Sequence, residues 1–128
     1  MAKQLRILEW NANGLLQHQQ ELQVVLDIQR IDICLIAETH FTKESYIKFK
    51  GYKVYHTIHP ENSAKGGSAI IIKESIPHHQ EMHLQCEQIQ STAVKVRTKS
   101  HEIVIVTMYS PPKHNINSNE LNTVFFEI

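Results

Sequence analysis

Three stretches of this chain bring chemistry-bearing side chains to the ends of apolar runs. Asn11-Ala12-Asn13-Gly14 follows the partly alternating run from Gln4 to Trp10. Glu38-Thr39-His40 follows the unbroken apolar run Ile33 to Ala37, and Tyr109-Ser110-Pro111-Pro112 follows Ile103 to Met108. Strands that end this way deliver polar groups to a sheet rim, where α/β proteins keep their ligand sites. There Glu38 supplies one negative charge, Asn11 and Asn13 supply amides that donate and accept, and Tyr109 supplies a hydroxyl. Each also has a plainer reading. Strands often end in a charged residue, Asn-Gly is a turn signal because both residues tolerate positive φ, and a rim tyrosine is usually amphipathic packing.

The elements that must position these groups follow from periodicity. Gln4 to Trp10 reads as a first strand. From about Leu16 to Gln29 the period is helical, with Leu22, Val25 and Leu26 on one face, Val24 and Ile28 beside it, and Gln17, Gln20 and Gln23 towards water. Ile33 to Ala37 has the continuous apolar character of a strand buried on both faces. Strand, helix and strand between residues 4 and 37 form a βαβ-like unit that brings Asn11 and Glu38 to neighbouring strand ends.

Further along, Phe41 to Lys50 reads as a polar loop with a helical turn near Tyr46, and Gly51 to Thr57 alternates as a strand. Gly66-Gly67 opens the apolar strand that runs to Lys73. No helix follows the glycines, so close backbone packing is expected there and not a phosphate-cradling loop. His78, His79 and His83 lack metal-ligand spacing and are expected as exposed loop residues. Glu87 to Thr98 and His101 to Tyr109 form a hairpin, with Ile103 to Met108 as a buried strand. Asn117 and Glu120 resemble a capping box ahead of the stripe Leu121, Val124, Phe125 and Ile128. No C-cap signal ends that helix, so the chain is expected to be the front part of a longer domain.

Composition narrows the function. With 128 residues, a formal net charge of zero and a pI of about 7.1, the chain has no global cationic field to gather polyanions. An enzyme that grips a few phosphates locally is still allowed. Cys34 and Cys86 are too few for a disulfide framework, and Cys34 is expected as a small buried thiol. No secretion signal and no membrane-spanning run is seen, so an intracellular protein is expected.

Taken together, Trp-Asn-x-Asn-Gly at 10–14, Glu-Thr-His at 38–40 and Tyr-x-Pro-Pro at 109–112 resemble the endonuclease/exonuclease/phosphatase superfamily, which includes AP endonucleases and pancreatic deoxyribonuclease. The chain looks most like the AP-endonuclease-like endonuclease domain of non-LTR, jockey-like retrotransposon polyproteins. There the runs Asn-Ala-Asn-Gly-Leu (11–15) and Tyr-Lys-Val-Tyr-His-Thr (52–57) also look familiar, whereas AP endonucleases usually have Asp in place of Asn13.

The resemblance implies an α/β fold: the N-terminal half of a four-layer α/β sandwich, with mixed, largely antiparallel sheets and flanking helices. It implies that Glu38 binds a catalytic Mg²⁺ (or Mn²⁺) and that Asn11 shares the metal and phosphate network. Tyr109 would donate to the phosphate or orient its neighbours, and Asn13 and His40 would bind substrate. Mg²⁺ suits such a site because it is hard, keeps its waters and is often held by one or two acids. The implied partners are target DNA, nicked in the nucleus to prime reverse transcription, and a reverse transcriptase domain in the same polyprotein. No membrane is involved.

The sequence also departs from the superfamily. The expected Gly-Asp-x-Asn, whose aspartate handles the attacking water, and the Ser-Asp-His are both missing, and the only aspartates are Asp27 and Asp32. Half of a preorganised site is expected to be nearly inert. Two alternatives stand beside this reading: a degenerate or binding module without chemistry, and a phosphodiesterase or phosphatase of the same superfamily acting on a non-DNA substrate.

Overall fold

The computed structural model describes residues 4–112, so the helix expected from Asn117 and the ending of the chain inside it lie outside the described residues. The elements are β1 (Ile7–Asn11), a 3-10 turn (Leu16–His18), α1 (Gln19–Ile28), β2 (Ile33–Ala37), β3 (Tyr52–Thr57), β4 (Ser68–Lys73), β5 (His78–Gln80), β6 (Gln90–Arg97) and β7 (Glu102–Tyr109). They form a four-stranded sheet in the order β1-β2-β4-β3 and a three-stranded sheet in the order β5-β6-β7. Among the described residues only β1 and β2 pair in parallel, joined by α1, and the other pairs are antiparallel. This is the expected α/β architecture with mixed, largely antiparallel sheets.

The four-stranded sheet is covered on both faces. On one side α1 and the 41–50 segment bury Leu22, Leu26, Cys34, Ile36, Phe41, Phe49 and Ile71. On the other, Ile33, Ile70 and Ile72 meet Val94 and Val96 of the smaller sheet. β2 and β4 lie between both cores, which is why they read as unbroken apolar runs. Burial pushes the Cys34 thiol up to about 12, so it stays a neutral packing group.

Four local expectations need correction. Val25 is 39% exposed and Ile28 70% exposed, because α1 meets the sheet along the Leu22–Leu26 ridge alone, narrower than its apolar stripe. The 41–50 segment has no helical turn at Tyr46 and is not a polar surface loop. Its Phe41, Ile47 and Phe49 plug the core, and Gln19 and Gln23 side chains satisfy the Lys48 carbonyl and Lys50 amide at 2.7 and 2.8 Å. Along Ile103 to Met108 only Thr107 is buried, since among the described residues β7 is the edge of its sheet. His78 and His79 both sit in β5 and not in a loop; His79 is exposed as expected and His78 is half-buried. Its Nδ1 donates to the Ile76 carbonyl at 2.6 Å, which leaves Nε2 to accept the Tyr55 hydroxyl at 2.9 Å.

Candidate functional site

In-register parallel pairing places Asn11 opposite Ala37, so the residues after both strands leave from one rim. The ladder continues past the strands. Ala12, Gly14 and Leu15 amides donate to the carbonyls of Ala37, Glu38 and Thr39 at 2.9, 2.8 and 3.0 Å. The two loops are thereby tied together, and the Asn11 side-chain amide reaches Glu38, with Nδ2 donating to Oε1 at 3.0 Å. Asn11 Oδ1 accepts the Asn13 backbone N–H at 3.2 Å, which fixes which way the Asn11 amide faces.

Glu38 and His40 both take left-handed backbone, with φ of 60° and 58°. That conformation costs a non-glycine residue on the order of 1–3 kcal/mol and persists only where surroundings impose it. The surroundings here are Gly66 and Gly67. The Glu38 amide donates to the Gly67 carbonyl at 2.8 Å and the His40 amide to the Gly66 carbonyl at 2.9 Å. Gly67 has φ +88°, and a Cβ there would collide with Thr39 Oγ1 and lie 3.2 Å from the Thr57 carbonyl. The paired glycines do serve close backbone packing.

Around the Glu38 carboxylate stand Asn11 on Oε1, His40 Nε2 at 3.3 Å from Oε2, and the Tyr109 phenol. Burial, then the Glu38 charge and hydrogen bonding to it, raise the Tyr109 pKa above the ordinary phenol range. Among the described residues Glu38 has no Lys or Arg ion-pair partner; the titratable group against its carboxylate besides Tyr109 is the His40 imidazole. Asn13, also left-handed at φ 46°, stands exposed at the lip and joins the cluster through its backbone. The rim thus gathers Asn11, His40 and Tyr109 around Glu38, with Asn13 adjoining. A cleft of about 420 Å³ adjoins the cluster at Asn11, walled also by Glu9, Trp10, Ala37, Thr107 and Met108.

This donor set suits a hard cation that keeps most of its water: one part-exposed carboxylate ringed by neutral hydrogen-bonding groups. It does not suit a transition-metal cage, for which the described residues offer no group of three His, Cys, Asp or Glu.

Sequence reasoning missed the floor of the site. Ser68 and Thr92 hydroxyls meet at 2.9 Å, Thr92 reaches Thr57 Oγ1 at 3.1 Å, and Thr57 donates to the Ser91 carbonyl at 2.8 Å. Buried Gln90 bonds the Gly67 amide. The one available signal was the clustering of Ser and Thr at the beginnings of β4 and β6, where the apolar runs begin late.

No family profile matches the chain. It is 31% identical over 121 residues to the RNA-directed DNA polymerase from mobile element jockey of Drosophila melanogaster, covering 94% of this chain and 13% of that protein. Its fold is similar to the endonuclease domain of TRAS1, a telomere-specific non-LTR retrotransposon, with a TM-score of 0.74 and 23% identity over 97% of this chain and 55% of that one. An AP endonuclease from Leishmania major matches with a TM-score of 0.61 and 15% identity, covering 82% of this chain and 40% of that one. The chain spans about 13% of the length of the curated jockey relatives. In fold the chain is therefore AP-endonuclease-like, and it resembles the endonuclease/exonuclease/phosphatase superfamily through the non-LTR, jockey-like retrotransposon branch, over part of the length of each relative.

Proposed function

We propose that these residues form part of a divalent-metal-dependent DNA endonuclease domain of a retrotransposon polyprotein, with Glu38 as the metal-holding group. The observation that carries this reading is the state of Glu38: part-exposed, on strained backbone, tethered by Asn11 and His40, and without a Lys or Arg partner among the described residues. Asp32, the carboxylate at the other end of β2, is paired with Lys73, whereas Glu38 is oriented by an amide and an imidazole and has no such partner among the described residues. Glu38 would hold Mg²⁺ (or Mn²⁺), with Asn11 fixing the carboxylate and sharing the polar network. The ion supplies charge stabilisation for a phosphodiester and its leaving oxygen.

Tyr109 keeps its proton at neutral pH, since its pKa is raised, and so serves as a hydrogen-bond donor to a phosphate oxygen. His40 and Asn13 at the lip offer donors to the DNA backbone, contacts that position without reading sequence. The intact domain would nick target DNA in the nucleus, beside a reverse transcriptase domain of the same polyprotein. Because Gly-Asp-x-Asn and Ser-Asp-His do not occur in this sequence, the 128 residues alone bring no water-handling aspartate and nick DNA poorly or not at all.

Mn²⁺ titration followed by electron paramagnetic resonance tests the metal reading. Glu38→Gln should weaken binding at least about tenfold, the scale on which altered metal sites lose affinity. Equal binding by wild type and Glu38→Gln would refute Glu38 as the ligand. In a Mg²⁺ plasmid-nicking assay the chain should be inert, and nicking lost in Glu38→Ala would overturn the expected inactivity.

A further inference from the structure

Gln90 is fully buried at the start of β6, a place where a long polar side chain is retained only if its amide is used. We propose that Gln90 is a positioning residue of this site, fixing the backbone that carries Glu38 and pairing with the residue that carries the phenol. The functional weight of this proposal rests on the reading of Glu38 as the metal-holding group.

The connections run in both directions from one carboxamide. Oε1 accepts the Gly67 amide at 2.9 Å, and Nε2 donates to the Cys86 carbonyl at 2.6 Å, with the Glu87 carbonyl at 3.4 Å. The peptide held this way, Gly66 C=O with Gly67 N–H, meets the acid's loop at His40, and the very next carbonyl meets it at Glu38. The Gly67 carbonyl accepts the Glu38 amide at 2.8 Å and the Thr39 amide at 3.4 Å, while the Gly66 carbonyl accepts His40 at 2.9 Å. On its other side Gln90 is the register partner of Tyr109 in the β6–β7 ladder. The fit is tight: a Cβ on Gly66 would strike Gln90 Oε1 and lie 3.5 Å from Tyr109 Cδ2.

Gln90 has no exposed surface, so it touches no substrate and any effect on chemistry passes through its neighbours. An apolar replacement of equal shape leaves the Gly67 N–H and the Cys86 carbonyl without their side-chain partner. The left-handed turn at Glu38 and His40 then loses its anchor to the second sheet, while the β2 ladder behind it keeps its own bonds.

Amide hydrogen exchange by nuclear magnetic resonance on the 128-residue chain tests this without needing a bound metal. In Gln90→Met the Glu38 and His40 amides should exchange at least about tenfold faster, with Cys34 and Ile36 changing less than about twofold, the mark of local opening. Should Gln90→Met fail to fold, Gln90→Asn retains the amide but cannot span both partners, and should show the same local pattern more weakly. Unchanged exchange at Glu38 and His40 would overturn the proposal, as would equal acceleration throughout β2, which would mark a merely structural residue. Absence of Mn²⁺ binding in the wild-type chain would instead sink the metal reading and leave the exchange result to decide on Gln90.

Discussion

Asp32 and Glu38 stand at opposite ends of β2 with nearly equal side-chain exposure, 19% and 21%, yet their surroundings differ in kind. Asp32 accepts the Arg6 backbone N–H at 2.8 Å and pairs with Lys73 Nζ at 3.5 Å, while its own carbonyl accepts the Lys73 amide at 3.0 Å. It ties β1, β2 and β4 together at the far rim and ends up neutralised. Glu38 is met by an amide, an imidazole and a phenol, on backbone that is left-handed at φ 60°. One end of the strand spends its carboxylate on cohesion, and the other holds a negative charge in reserve. Burial alone would not have separated them; the partners do.

The two rims also differ in how their glycines are used, and the largest expected effect lies there. Gly67 (φ +88°) is crowded by Thr39 and Thr57, whereas Gly51 (φ +84°) at the far rim has nothing within 4 Å of a built Cβ. Gly51→Ala should cost about 1 kcal/mol, the penalty of left-handed backbone alone. Gly67→Ala adds a steric clash and should cost about 2–4 kcal/mol in urea-unfolding midpoints. Equal losses would mean that the site rim is no tighter than the other.

Next in size is the carboxylate pair itself. Asp32→Asn should lower stability by about 1 kcal/mol, through a weakened ion pair and a weaker acceptor for Arg6. Glu38→Gln should change it by less than about 0.5 kcal/mol or raise it, because relieving an uncompensated charge offsets the lost contacts. A Glu38→Gln chain that unfolds more readily than Asp32→Asn would reverse the contrast and make Glu38 the structural group.

The smallest effect is spectroscopic. The Tyr109 pKa is raised by burial first and by Glu38 second, so phenolate titration of wild type against Tyr109→Phe should place it above the usual range. Glu38→Gln should bring it part of the way down. Tyr52 at the far rim, raised by burial and then by Asp27 and Asp32, should not respond to that substitution. The sign for stability follows from linkage. A raised phenol pKa favours the folded state below about pH 10, and that advantage is lost as pH rises further and the unfolded phenol ionises first. A Tyr109 titration indifferent to Glu38→Gln would separate the phenol from the acid.

Much of the scaffold was readable from local pattern. The βαβ unit, the twice-buried β2 and the β6–β7 hairpin each repeat their signal over several residues. Phe41, Ile47 and Phe49 were not readable as core, because an irregular segment buries side chains at no fixed period. Gln90 gave no sign either: a glutamine entering a strand looks solvated until the Gly67 amide from another sheet is seen to need it.

The order of residues by itself determined the longer strands to within a few residues, though not β5, and hence that Asn11, Glu38 and Tyr109 each fall at or just past a strand end, since alternation and apolar runs are properties of neighbours along the chain. Only the tertiary structure decided that these termini share one rim, that Glu38 lacks a Lys or Arg ion-pair partner among the described residues while Asp32 has one, and that the buried Gln90 amide bonds Gly67 behind the turn at Glu38 and His40. Those outcomes depend on which strands pair and in which register, a choice settled by the summed burial of two cores.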